Sequence, residues 1–116
     1  MDVPRRLAVR LKGEVAVKWA ESVGVYNLSP NLVNGKSNWL QESGSCALWY
    51  DKDNEKWKIG LISGIGGYTC RMTTNSNPDQ DLPHRVVPWN YMKNNEWIGS
   101  KDITVEEDTS NTLGIF

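Results

Sequence analysis

Short runs of alternating apolar and polar residues, separated about every ten residues by glycine, proline or asparagine, are the feature of this sequence that most limits its fold. Alternation with a period of two is typical of a β-strand with one buried face, whereas a helix needs apolar residues three and four positions apart. No stretch of the chain keeps the helical spacing over three turns. The sequence therefore predicts an all-β fold, either a small antiparallel sandwich or a partly open barrel of short strands and hairpins.

The predicted strands follow one another closely along the chain. They are residues 6–11, 14–19, 24–29, 37–40, 46–51, 56–62, 67–72, 85–89, 97–98 and 102–106. The first two are joined around Lys12-Gly13 and predict an additional N-terminal hairpin within 1–23. Asn34-Gly35 predicts a tight turn, because both residues tolerate a positive φ. We expect one β domain over 1–106, followed by a disordered or artificial tail at 107–116.

The charge balance and hydropathy of the chain argue against several kinds of partner. The 116 residues include 13 Lys and Arg and 14 Asp and Glu, so that the net charge is −1. A nearly neutral chain lacks the basic surface that nucleic acids or anionic membranes require. No apolar run approaches the roughly 18 residues of a membrane span. The start of the chain lacks the apolar core of a secretory signal, and this favours a cytoplasmic location over a secreted one.

The two cysteines are predicted to be free. In a simple meander, Cys46 and Cys70 lie on strands two spacings apart, roughly 9–10 Å. A disulfide needs Cα atoms within about 7 Å. Free thiols also favour the cytoplasmic location.

No catalytic or metal-binding motif emerges from the polar residues. His84 is the single histidine and lies beside a polar, proline-containing stretch, where an ordinary surface histidine is expected. The acidic turn at 51–55 lacks the length, the glycine and the final glutamate of an EF-hand loop. Cys46, Cys70 and His84 lack both a fourth ligand and the spacing of a zinc site. We therefore predict no enzymatic activity, no cofactor and no metal.

Tryptophan is over-represented, with six Trp and a single Phe. Such residues build either a core or a binding surface, and both alternatives stay open. Two similar segments, WYDKDNEKWKIG at 49–60 and WNYMKNNEWIG at 89–99, each place Trp on both sides of a polar turn. We expect the closing residues, Trp57 and Trp97, to lie in the core.

The opening residues of the two segments are the candidate ligand-binding or partner-binding residues. Neighbours on one strand face opposite ways, so one member of the pair Trp49-Tyr50 should lie outside the main core. Trp89 and Tyr91 share one side of their segment and flank Asn90. Exposed aromatic rings beside amide side chains are typical of a peptide or sugar site. The candidate site is therefore Trp49, Tyr50, Trp89, Asn90 and Tyr91.

The order of several short motifs resembles a family of Trp-rich β modules that are appended to other domains in large eukaryotic multidomain proteins. The motifs are Gly24-x-Tyr26-x-Leu28, Asn34-Gly35-x-x-x-Trp39, Ala47-Leu48-Trp49-Tyr50, Trp57-x-Ile59-Gly60, Pro88-Trp89, Trp97 and Asp102-Ile103-Thr104-Val105. The resemblance covers about 24–106, and Ser37 replaces a proline that is common in the family. It implies a non-catalytic accessory or interaction domain and transfers no ligand and no functional residue.

These observations predict a non-catalytic interaction or scaffolding module that binds a protein partner. A carbohydrate-binding module that uses the candidate aromatic residues is the alternative. A third hypothesis is self-association into a homo-oligomer through an uncapped edge strand such as 6–11.

Overall fold

In a computed structural model of the chain, residues 3–67, 69–78 and 81–109 are described, and they form nine strands and one short α-helix. The strands are β1 (Arg6–Leu11), β2 (Gly24–Leu28), β3 (Trp39–Gln41), β4 (Cys46–Asp51), β5 (Lys56–Leu61), β6 (Met72–Thr74), β7 (Trp89–Lys93), β8 (Glu96–Ser100) and β9 (Ile103–Glu107). The helix α1 spans Gly13–Lys18, and 3-10 turns span Ala20–Ser22, Ile62–Gly64 and Pro83–Arg85. None of the helices in these ranges has the length and apolar character needed to cross a membrane.

The nine strands form a single antiparallel sheet in the order β8-β7-β6-β5-β4-β3-β2-β1-β9. Each strand from β1 to β7 lies beside the next strand in the chain, and β9 returns to pair with β1. Only Lys101 and Asp102 separate β8 from β9, although these two strands are the opposite edges of the sheet. The sheet must therefore curl until its edges approach each other. The predicted all-β fold is confirmed, in the form of a nearly closed barrel.

The segment after β1 is a helix, so the predicted strand at 14–19 and the N-terminal hairpin are wrong. Both edges of β1 are occupied, by β2 and β9, and no free edge remains for the next residues. The segment instead forms local helical hydrogen bonds, and the Trp19 amide donates to the Val15 carbonyl at 2.9 Å. Val15 joins the core, whereas Val17 is 85% exposed. The same pairing means that β1 is not the edge strand that we expected for self-association.

Aromatic side chains fill the barrel interior and find hydrogen-bond acceptors there. The ring centroids of Trp39 and Trp57 lie 5.9 Å apart, and Tyr50 meets Trp57 edge-on at 5.1 Å. The indole of Trp39 donates to the Pro4 carbonyl at 2.8 Å, and that of Trp57 donates to the Asp81 carbonyl at 2.7 Å. These hydrogen bonds satisfy indole N–H donors that burial would otherwise leave without an acceptor.

The two similar tryptophan segments are the β4–β5 and β7–β8 hairpins. In the first hairpin Trp57 lies opposite the inward-facing Tyr50, and the prediction that it belongs to the core is confirmed, at 2% exposed. In the second, a two-residue turn places Trp97 opposite Met92, whose neighbour Tyr91 points inward. Trp97 therefore faces outward at 44% exposed, and its predicted core position is wrong.

Loop residues account for the remaining differences from the predicted elements. The predicted turn at Asn34-Gly35 is confirmed, with φ values of 55° and 74°. The strand predicted at 67–72 begins only at Met72, and the strand predicted at 85–89 begins at Trp89. Tyr68 and residues 110–116 of the predicted tail lie outside the described residues.

Candidate functional site

The structure buries all five of the residues predicted to bind a ligand or partner. Trp49, Tyr50, Trp89, Asn90 and Tyr91 are 0%, 2%, 1%, 7% and 6% exposed. These five side chains therefore form no exposed surface, and of the two alternatives for the aromatic residues the structure favours burial. Tyr50, Trp89 and Tyr91 point into the barrel and join its core.

Trp49 and Asn90 lie outside the barrel interior, in a polar row that loops cover. Directly opposite residues of paired strands share one face, and the register aligns Trp49, Lys58, Thr73 and Asn90 in this row. The β5–β6 connection folds back over it, since a Cβ on Gly60 would lie 3.3 Å from the Cα of Cys70. Three strand spacings, roughly 14 Å, separate Trp49 from Asn90. The sheet therefore does not bring these two predicted site residues together.

The indole ring of Trp49 lines a small polar pocket on this covered face. The pocket, which we call the Trp49 pocket, has a volume of about 90 Å3 and is lined by Asn34, Trp49, Asp51, Lys52, Asp53, Gly66 and Gly67. Asn34 closes one side, because its amide donates to the Tyr50 carbonyl at 2.8 Å. The Trp49 Nε1–H is buried without an acceptor among the described residues.

An ion pair between Lys58 and Asp51 lies beside the Trp49 pocket. Lys58 Nζ lies 2.7 Å from Asp51 Oδ2, and both side chains are largely buried. Burial opposes ionisation of Asp51, but hydrogen bonds from Asn54 and Lys58 outweigh it, and the pKa of this carboxyl lies below its ordinary value. Asp51 also caps its own turn by accepting from the Asp53 amide at 3.1 Å. The acidic turn is thus an ordered hairpin turn in which the Asp51 carboxylate is paired with Lys58.

A larger and more open groove lies between the segment after α1 and the β5–β6 connection. We call it the Trp19 groove; it measures about 430 Å3 and is lined by Trp19, Gly60, Leu61, Ser63, Gly64, Thr69, Cys70 and Arg71. Leu61 is 44% exposed at its rim, and the adjacent Ile62 is 40% exposed. The groove combines accessible apolar surface with one cationic side chain.

Arg71 is the organising residue of the Trp19 groove. Its guanidinium lies 4.6 Å from the centroid of the Trp19 ring, a cation–π contact. The same group donates to Ser22 Oγ at 3.1 Å and lies 3.6 Å from the exposed carboxylate of Glu21. The sequence did not suggest this cluster, because 52 positions separate Arg71 from Trp19 (71 − 19) and no local motif joins them.

Both cysteines are free, as predicted. Cys46 is buried, and its sulfur lies 3.6 Å from Ser22 Oγ and 3.5 Å from Arg71 Nη1. Cys70 is half-buried in the Trp19 groove, and burial raises the pKa of its thiol. Cys70 is therefore held mainly as a neutral thiol near neutral pH.

His84 is not the ordinary surface histidine that we expected. It lies half-buried in the Pro83–Arg85 turn, and its Nδ1 is buried without a partner in the described chain. Burial lowers the pKa of this imidazole and the neighbouring Arg85 lowers it further, while Glu107 raises it. His84 is therefore held in its neutral form.

The described residues contain no group of three or more His, Cys, Asp or Glu side chains placed to hold a metal ion. No family model, no curated protein and no solved structure matches this chain.

Proposed function

We propose that this chain is a non-catalytic binding module that engages a protein partner through the Trp19 groove. The observation that carries the proposal is that the accessible apolar side chain of Leu61 lines the same groove as Arg71. Exposed apolar residues around a concave surface are characteristic of recognition sites. Arg71 and Trp19, which are in contact in this groove, are also residue types favoured in binding hot spots.

The chemistry of the groove suggests what the partner supplies. Glu21, the carboxylate nearest Arg71, is 75% exposed at its side chain and 3.6 Å away, so the ion pair is weak. A partner carboxylate can replace it and gain a bidentate contact with the guanidinium. The apolar rim accepts an aliphatic or aromatic side chain next to that carboxylate. We therefore propose a peptide segment with an apolar residue close to an Asp or Glu.

Selection of displayed peptides on the immobilised chain tests this proposal. The wild-type protein should enrich peptides that share an apolar–acidic pair, and Leu61→Ser should bind them at least about tenfold more weakly, which corresponds to about 1.4 kcal/mol. Val17→Ser is the matched control, because Val17 is exposed on α1 and does not line the groove. Equal binding by wild-type, Leu61→Ser and Val17→Ser proteins would place the site elsewhere.

We also propose, on the resemblance to Trp-rich β modules, that the chain serves as an accessory or scaffolding domain of a larger eukaryotic protein. The support is the order of its motifs over 24–106, several of which fall on buried strand positions such as Tyr26, Trp39 and Trp57. Purification of the endogenous polypeptide tests this directly. A mature protein no longer than this domain would contradict it.

Glycan binding is a second candidate function, favoured by the Trp49 pocket. The Trp49 ring and the carboxylate of Asp53 line the same polar pocket, where this carboxylate can accept a hydrogen bond from a sugar hydroxyl. Titration of a glycan panel with tryptophan fluorescence as the signal should show a response that Trp49→Phe abolishes and Trp97→Phe retains. A flat response across the panel would remove this candidate.

A further inference from the structure

The strand β8 presents an unpaired edge of the sheet to its surroundings. It pairs with β7 alone, and no backbone group of another described residue hydrogen-bonds to its other edge. The opposite edge of the sheet, β9, is packed against the Pro83–Arg85 turn. Exposed edges carry free N–H and C=O groups that can pair with another chain. Among the two edges, β8 is therefore the one open to strand addition.

The register of the β7–β8 hairpin determines which backbone groups point outward. Asn94 and Asn95 have φ values of 51° and 64°, as in a two-residue type I′ turn, and this makes Lys93 and Glu96 a hydrogen-bonded pair. Hydrogen-bonded and non-hydrogen-bonded pairs alternate along an antiparallel ladder. Ile98 therefore bonds to β7, while the N–H and C=O groups of Trp97 and Gly99 point away from it.

We propose that β8 pairs in antiparallel register with β8 of a second copy of this chain, about a two-fold axis at Ile98. This register places Trp97 of each copy opposite Gly99 of the other. The two N–H and two C=O groups that each edge offers then form four reciprocal hydrogen bonds. Pairing joins the two nine-stranded sheets edge to edge, with the same surface used on both copies.

The side chains at this edge are complementary to the same arrangement. Trp97 is 44% exposed, and the residue it would face on the second copy is a glycine without a side chain. The ring of Pro88 lies over that glycine, 3.1 Å from where a Cβ would be, and Val87 beside it is 84% exposed. A large aromatic side chain opposite a strand glycine covers backbone that is otherwise open to water. The indole of one copy therefore meets the apolar surface of Pro88 and Gly99 on the other.

β8 also lacks the features that usually prevent an edge strand from pairing with another chain. Its sequence, Glu-Trp-Ile-Gly-Ser, has no proline and no charge at its centre. In the proposed register Glu96 lies opposite Ser100, so no like charges face each other. A neutral, self-complementary strand centre is compatible with a second identical strand.

Sedimentation equilibrium over a range of concentrations tests the proposal. The full chain should show a monomer–dimer equilibrium, and Trp97→Lys should raise the dimer dissociation constant at least about tenfold. Val17→Lys introduces the same charge at another exposed position, and Leu61→Ser alters the Trp19 groove, so both should leave the equilibrium unchanged. A wild-type chain that remains monomeric, or a dimer disrupted by Leu61→Ser and not by Trp97→Lys, overturns the proposal.

Amide hydrogen exchange on the wild-type chain gives a second measurement that does not depend on a variant. Protection of the Trp97 and Gly99 amides should increase with protein concentration. The Ile98 amide, which is bonded to β7 in either state, should be protected at every concentration. Exchange at Trp97 and Gly99 that is independent of concentration in the presence of dimer would show that the dimer uses another surface.

Discussion

At the scale of single residues, the most informative atoms are buried hydrogen-bond donors and acceptors. What matters for each of them is whether it has a hydrogen-bond partner. Trp39 and Trp57 each donate to a backbone carbonyl, as buried indoles normally do. Trp49 Nε1 and His84 Nδ1 are buried without partners among the described residues. Leaving such a group unsatisfied costs about 1–3 kcal/mol. A change of protonation at His84, or an acceptor bound at Trp49, should therefore change the stability of the folded state.

His84 should make the folded state less stable in mild acid. Because burial and Arg85 lower its pKa in the folded protein, the unfolded chain binds the proton more readily. The free energy of unfolding should thus fall as the pH drops below the unfolded value of about 6.5, until the folded pKa is passed. Urea titrations between about pH 7.5 and pH 5 measure this slope, in a range where carboxylates stay ionised. His84→Gln should flatten the slope, and an unchanged slope in this variant would contradict the assignment.

Asp51 should contribute far more to stability than its neighbour Asp53. Asp51→Asn removes the charge partner of the buried Lys58 and should lower the free energy of unfolding by about 3 kcal/mol. Asp53→Asn, an exposed change in the same turn, should cost no more than about 0.5 kcal/mol. Chemical denaturation of both variants provides the comparison. Replacing both members of the pair, as Asp51→Asn with Lys58→Met, should recover part of the loss.

At the scale of elements, pairing partners decide what short segments become. Runs such as 6–11 and 46–51 were predicted with the bounds they have, because their alternation matches one buried and one covered face. Residues 14–19 have the same alternation but form α1, since β2 and β9 occupy both edges of β1. Glu14 in the first turn and Lys18 in the last turn of α1 interact favourably with the helix dipole and stabilise the helix. The periodicity of a sequence indicates that one face of a segment is buried. It does not indicate whether a neighbouring strand has a free edge with which that segment can pair.

The helical assignment of this segment makes a clear prediction for its two valines. Val15→Ala removes core volume and should lower the free energy of unfolding by about 2 kcal/mol. Val17→Ala changes an exposed side chain and should alter stability by less than about 0.5 kcal/mol. Thermal or urea unfolding measures both. In a strand the two valines would share one face, so similar losses in both variants would favour the strand.

The candidate site was less predictable than the fold for a related reason. The sequence correctly indicated that Trp49 points away from Tyr50, but it did not show that the β5–β6 connection covers the outer face. The Trp19 groove depends on Arg71, which lies far from Trp19 in the chain and meets it only after the barrel forms. Loops that fold over a sheet leave no periodic signal. Trp97 was expected to be buried for a different reason, because the sequence did not show that a two-residue turn places it opposite Met92 on the outer face.

At the scale of the whole molecule, one continuous core should make unfolding cooperative. Buried residues from β1 to β9 belong to a single hydrophobic cluster, which includes Leu7 and Val105 at its two ends in sequence. Urea unfolding followed by tryptophan fluorescence and by far-ultraviolet circular dichroism should therefore give coincident transitions. Val105→Ala should shift both midpoints together. Separate transitions for the two signals would indicate that β9 detaches independently.

The pairing of β1 with β9 has a consequence for the chain while it is being synthesised. β1 is synthesised before its partner at Ile103–Glu107, which follows on the order of ten seconds later. During that interval β1 can pair with β2 alone, and its other edge is open to foreign strands. The nascent chain thus passes through a period of aggregation risk that the finished barrel no longer has, and chaperones that bind extended segments would be most useful then.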